Sequence, residues 1–338
     1  MTHLLEVDGL KTHFFTHDGV VLAVDGVSFN LDAGQTLGVV GESGSGKSVT
    51  ALSIMGLIPA AQGRVVAGDI RFKGESIVGI DEEKMRAIRG NRIAMIFQDP
   101  MTSLNPVFRV GVQVAESLRI HKGMNKADAN QRAVELLDLV GIPHPAERAR
   151  DYPHQFSGGM RQRAMIAMAL ACDPDILVAD EPTTALDVTI QAQIIDLIMS
   201  LQERTGSAVI MITHDLGVVA DIADNVLVMY AGKPAEYGKA DEVFYNPLHP
   251  YAWGLLDSLP RHDVDSKTQL CPIKGQPPSL VNVPSGCPFH PRCPYVKDVC
   301  RTTVPTLRDI GGGHMSACHF AGEAGFTRAE MACSGVSA

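Results

Sequence analysis

The chain has 338 residues, 45% of them hydrophobic and only one Trp, enough to bury the core of one large domain with a smaller region attached. Its net charge is −9 and no stretch is rich in Lys or Arg, which argues against nucleic acid as the main partner. No segment reaches the roughly 18–20 apolar residues of a membrane span. The N-terminus, MTHLLEVDGL, also lacks the basic-then-apolar order of a secretory leader, so a cytoplasmic chain with peripheral membrane contact is expected.

In chain order, LLEV, THFF and VVLAVDGVSF predict antiparallel strands with a turn at His17-Asp18-Gly19. Short apolar runs rich in branched residues follow at Thr36–Val40, Arg92–Phe97, Asp175–Asp180, Ala208–Ile212 and Val226–Tyr230. Such runs suit strands buried on both faces of a largely parallel sheet. Between them, helices are predicted over Gly46–Gly56, Lys126–Val140, Ser157–Ala171 and Thr189–Arg204. The last carries Ile190, Ile194, Leu197, Ile198 and Leu201 as one apolar stripe. Alternating strands and helices imply an α/β fold with a small β layer beside it. After residue 245 the composition turns to Pro, Gly and Cys, with little period of either kind. This stretch is expected to need something other than a large core to hold it.

Gly41 to Ser48 reads GESGSGKS, the G-x-x-x-x-G-K-[ST] pattern, after a predicted strand and at the opening of a predicted helix. In that context it is a phosphate loop. Glycines let backbone amides and the helix N-terminus meet negative charge, Lys47 reaches the β and γ phosphates, and the Ser48 hydroxyl binds Mg²⁺. The nucleotide-contacting set is Gly41, Glu42, Ser43, Gly44, Ser45, Gly46, Lys47, Ser48 and Val49. Asp180-Glu181 closes the run ILVAD. Asp180 there suits Mg²⁺ through water, and Glu181 suits a base that polarises an attacking water. The alternative is an exposed acidic pair leading into the turn at Pro182. His214, after the strand AVIMI, and Gln98, directly after RIAMIF, are unremarkable alone.

With FSGGMRQR (Phe156–Arg163) between the phosphate loop and Asp180, these pieces resemble the nucleotide-binding domain of ABC ATPases. The resemblance implies a RecA-like parallel core, an antiparallel β layer and a helical signature subdomain at about residues 100–165. Ser157, Gly158 and Gly159 would then act on ATP held by an opposing subunit, with Met160 standing where the signature usually has Gln. It makes Gln98 a Q-loop residue touching Mg²⁺ and ATP. It also places Asp187 in a D-loop with Ala185 and Leu186, makes His214 a catalytic switch residue, and sets Phe14 (with Phe15 as alternative) against adenine. Two copies are needed for catalysis, so this chain supplies half of the working unit.

DPMTSLNPVFRVG (Asp99–Gly111) and HPYAWGLLDSLP (residues 249–260) are similar to the ATPase subunits of oligopeptide and dipeptide importers, most nearly the D-type oligopeptide subunit. That resemblance implies oligopeptide uptake at the cytoplasmic face of the inner membrane. It implies as partners a second, F-type ABC ATPase, two transmembrane permease subunits and an extracytoplasmic peptide-binding protein. A dipeptide or nickel-type importer is the runner-up, and a soluble ABC ATPase of translation or repair stands behind both. The expected domains are 1–245 for nucleotide binding and 246–338 for a C-terminal extension.

Of seven cysteines, six lie after residue 270. Cys287, Cys293, Cys300 and Cys318 could hold Zn²⁺ or a [4Fe–4S] cluster, or remain unligated thiols. No paired C-x₂₋₄-C knuckle is present, which leans towards the cluster, and the D-type importer subunits are similar in carrying a four-cysteine cluster site here. His290, His314 and His319 are possible substitute ligands, while Cys172, Cys271 and Cys333 fit no pattern. Core and tail are expected to act separately, so that losing Cys293 spares nucleotide affinity.

Overall fold

The computed structural model describes residues 3–184, 187–258 and 273–328, which divide into two compact units. Cys271 and Cys333 lie outside the described residues, as do Ala185 and Leu186 of the expected D-loop.

The first unit is built chiefly from Phe72–Ile212. Its strands Ile93–Ile96, Ile176–Asp180 and Ala208–Ile212 pair in parallel, and every residue in them is buried. Burial on both faces is why they read as unbroken apolar runs. Helices Val110–His121, Lys126–Leu139 and Gly158–Leu170 pack together through residues such as Val114, Leu118, Ala133 and Leu137. The long helix Val188–Thr205 starts at Asp187, whose carboxylate accepts from the Ile190 N–H, and stops at Gly206 with φ 68°. A left-handed glycine there is the usual helix ending.

The second unit comprises mainly Glu6–Asn30, Leu37–Arg71 and the chain from Thr213 onward. Strand Leu5–Thr16 lies between Gly19–Leu31 and Gly63–Phe72. The two-residue link after Thr16 makes the first pair a hairpin, as expected. A second sheet begins with Thr36–Val40 parallel to Asn225–Tyr230, and Lys233–Lys239 follows antiparallel. His314–Ser316 pairs with that strand, and Arg308–Gly311 pairs with His314–Ser316.

These last two strands correct the expectation of an aperiodic tail. Strands of 3 and 4 residues are too short to show a period in sequence. The tail also joins the hydrophobic core of this unit, where Tyr251, Cys287, Phe289 and Cys300 cluster with Val40, Val226, Val228 and Tyr230. Tyr251, Trp253 and Phe289 are essentially inaccessible, with Tyr230, Tyr295 and Phe326 packed tilted or edge-on against them. Beneath them Glu236 is fully buried and accepts from the Leu248 and His249 N–H groups and from His314 Nε2. No helix among the described residues is long and apolar enough to cross a membrane.

Candidate nucleotide site

In the second unit, the phosphate loop leaves the Thr36–Val40 strand and enters helix Lys47–Ile54. A Cβ on Gly41 would lie 2.2 Å from the Met229 carbonyl oxygen, and one on Gly46 would lie 2.3 Å from that of Ala23. Both glycines also have positive φ, 148° and 103°, so no other residue fits either position. Lys47 is buried and donates from Nζ to the carbonyls of Gly41 (2.8 Å) and Glu42 (3.0 Å). The Ser45 hydroxyl is buried without a hydrogen-bond partner among the described residues. An orphaned hydroxyl inside a loop of bare amides suits an incoming phosphate oxygen. Ser43 and Gly44 are exposed, while Ser48 and Val49 are partly covered.

Glu42 is gripped from the tail. Its N–H donates to the Tyr251 hydroxyl at 2.8 Å, and its carboxylate takes two hydrogen bonds from Arg292, at 2.6 and 2.9 Å. Arg292 also donates to the Tyr230 hydroxyl. The Glu42 carboxylate raises the guanidinium pKa further, and burial raises that of the Tyr251 phenol. Both side chains therefore hold these protonation states across the physiological range. Nothing in the sequence marked this contact, whose partners are 250 residues apart. Elsewhere in this unit Phe14 packs on Gly63 and is partly buried. Phe15 is 46% exposed beneath the Arg64 guanidinium, and His214 is exposed.

In the first unit, Asp180 is buried at the end of its strand, and Glu181 follows with φ 47°. The Glu181 carboxylate accepts from Gln98 Nε2 and Thr184 Oγ1, both at 2.9 Å, and its N–H donates to the Ile212 carbonyl. Two donors hold this partly covered carboxylate, and Asp180 beside it is buried. Ser157 caps helix Gly158–Leu170 by accepting from the Met160 N–H. Ser157 and Gly158 are exposed, Gly159 is partly covered, and Asp187 is exposed at its cap. The phosphate-loop group and the carboxylate group thus belong to different units.

The four tail cysteines, with His290 and His319, line one small cavity in the second unit. Burial pushes the Cys287 thiol up to about 11 and that of Cys293 up to about 12, and raises that of Cys318. No three Cys, His, Asp or Glu side chains among the described residues converge on a single-ion position. His314 is engaged by Glu236, while His290 and His319 each use one ring nitrogen on a backbone carbonyl.

A glycine-walled phosphate loop, a strand-end carboxylate pair and a serine-capped signature helix define an ATP-binding cassette. The ABC transporter family pattern matches residues 24–184, and that of the oligopeptide/dipeptide transporter C-terminal region matches residues 235–300. The chain is 54% identical over 315 residues to the oligopeptide transport ATP-binding protein OppD of Salmonella typhimurium, covering 93% of each. It is 55% identical over 318 residues to the dipeptide transport ATP-binding protein DppD of Bacillus subtilis, covering 94% of this chain and 95% of that one. Among solved structures it is similar to the post-hydrolysis dimer of the ATP-binding cassette MJ0796 bound to ADP and Pi. That match has TM-score 0.63 and 27% identity, covering 70% of this chain and 98% of that one. The chain belongs to the family of ATP-binding subunits of oligopeptide/dipeptide ABC transporters.

Proposed function

We propose that this chain hydrolyses ATP to drive oligopeptide uptake through an ABC importer at the cytoplasmic face of the inner membrane. Its partners in this reading are two permease subunits, an extracytoplasmic peptide-binding protein and a second ATPase of F type. The 93% coverage of an oligopeptide transport relative at 54% identity carries it. Dipeptide uptake is the second reading, favoured by the comparable match to a dipeptide transport subunit.

Residues 1–245 form the nucleotide-binding domain, and 246–338 its extension. Gly41 to Val49 wrap the phosphates, and Phe14, with Phe15 as alternative, meets adenine. Ser48, Gln98 and Asp180 hold Mg²⁺, which neutralises phosphate charge when bound. Glu181 takes the proton of the attacking water, and His214 contacts the γ-phosphate. Ser157, Gly158 and Gly159 serve the partner's nucleotide, a role that the exposure of Ser157 and Gly158 suits, and Asp187 belongs to the D-loop. After Gln98, exposed Met101, Val107 and Phe108 offer an apolar surface to the membrane subunits.

Cys287, Cys293, Cys300 and Cys318 are read as ligands of a structural [4Fe–4S] cluster, on their shared cavity and the resemblance. Zn²⁺ on the same four thiolates is the alternative reading.

The test is Glu181→Gln in the purified complex. ATP turnover is expected to fall at least about a hundredfold with ATP binding retained, in line with loss of a general base. Turnover near that of the unaltered complex would remove Glu181 from this role.

A further inference from the structure

We propose that Arg292 and Tyr251 are positioning residues for ATP binding, holding the phosphate loop in its receptive shape from the C-terminal stretch. Glu42 is the second residue of the loop, and all three of its polar functions are engaged. Tyr251 accepts from its N–H, Lys47 donates to its carbonyl, and Arg292 binds its carboxylate through both terminal nitrogens. The Lys47 contact must loosen when the ammonium turns to the phosphates, whereas the two tail contacts need not. They fix one peptide of a loop whose amides have to point at the ligand. A planar guanidinium in bidentate contact with a carboxylate sets direction as well as distance.

The anchors are themselves rigid. The Arg292 side chain is 5% exposed, and Tyr251 is inaccessible between Tyr230 and Phe289. Arg292 also donates from Nε to the Lys274 carbonyl, so it ties the loop to a further segment of the tail. Arg292 immediately precedes Cys293, and order around the cysteines therefore extends to the loop. The proposal departs from the expectation that core and tail act separately, and the variants below decide between them. Holding the loop ready lowers the ordering cost of binding and leaves the chemical step to other groups.

The test measures ATP affinity of the full-length chain by calorimetry, and KM and kcat for ATP in the assembled complex. Arg292→Ala is expected to raise the Kd and KM for ATP about tenfold, with kcat at saturating ATP within about twofold. Arg292→Lys, which keeps one charge-assisted contact, recovers part of the loss. Glu42→Gln is made as well, because it alters the loop and leaves the tail intact. It should weaken ATP binding similarly, and the double variant should be no worse than the weaker single one. Unchanged ATP affinity in Glu42→Gln, or additive losses in the double variant, would overturn the proposal. So would a loss in Arg292→Ala confined to melting temperature, with the KM for ATP unmoved.

Discussion

Glu181 has φ 47°, a left-handed conformation that costs a residue with a Cβ on the order of 1–3 kcal/mol. Gln98 and Thr184 hold its carboxylate in that setting. Gln98→Ala removes one of these donors, and ATP turnover of the assembled complex is expected to drop about tenfold, with a smaller change in KM. Ser157 caps its helix in this chain and, in the proposed function, also acts on the partner's nucleotide. As a helix cap it is worth about 1 kcal/mol, and Asn caps equally well. Ser157→Asn should therefore hold the denaturation midpoint of the isolated chain while lowering ATP turnover of the complex more than tenfold. Equal turnover would confine Ser157 to capping. Sequence showed the identity of these residues through the order of their motifs. It did not show the backbone setting of Glu181, because a positive φ at a non-glycine residue is imposed by surroundings rather than encoded locally.

At the scale of elements, helix Pro250–Asp257 begins at His249, whose Nδ1 accepts from the Tyr251 N–H. Burial lowers the His249 pKa from 6.5 to about 4, so the folded protein holds the imidazole neutral. The unfolded chain binds this proton at a higher pH than the folded one. Stability from His249 is thus complete above about pH 6.5 and declines as pH falls towards 4, by roughly 3 kcal/mol over that window. Urea midpoints measured across this range should decline, and His249→Asn, which can cap without titrating, should flatten the decline. A slope unchanged in the variant would assign it to other groups. Glu236→Ala strips the acceptor from two backbone N–H groups and from His314. It should cost about 1–3 kcal/mol for each buried donor left without an acceptor, read by urea unfolding. The elements legible in sequence were those with enough length to repeat a pattern. Ala208–Ile212 matches its apolar run end to end, while Arg308–Gly311 and His314–Ser316 are defined by their partner strand and not by their own residues.

Across the whole molecule, the tail is joined to the nucleotide loop by chemistry that no local pattern announces. Arg292 and Glu42 are ordinary surface residue types in sequence, and only the fold brings them together. The cysteines were legible by count and spacing, and the fold adds that four of them share one cavity. Purification without oxygen should give a chain holding iron and sulfide in equal amounts, and Cys293→Ser should lose both; stoichiometric zinc instead would overturn the cluster assignment. The central claim is that ATP hydrolysis by this subunit drives peptide inward. Vesicles carrying the complete importer, with ATP inside and binding protein plus labelled oligopeptide outside, measure this directly. Peptide should accumulate inside only when ATP is present, and Glu181→Gln should stop accumulation and hydrolysis together. Accumulation at an equal rate in Glu181→Gln vesicles, or without ATP, would contradict the account.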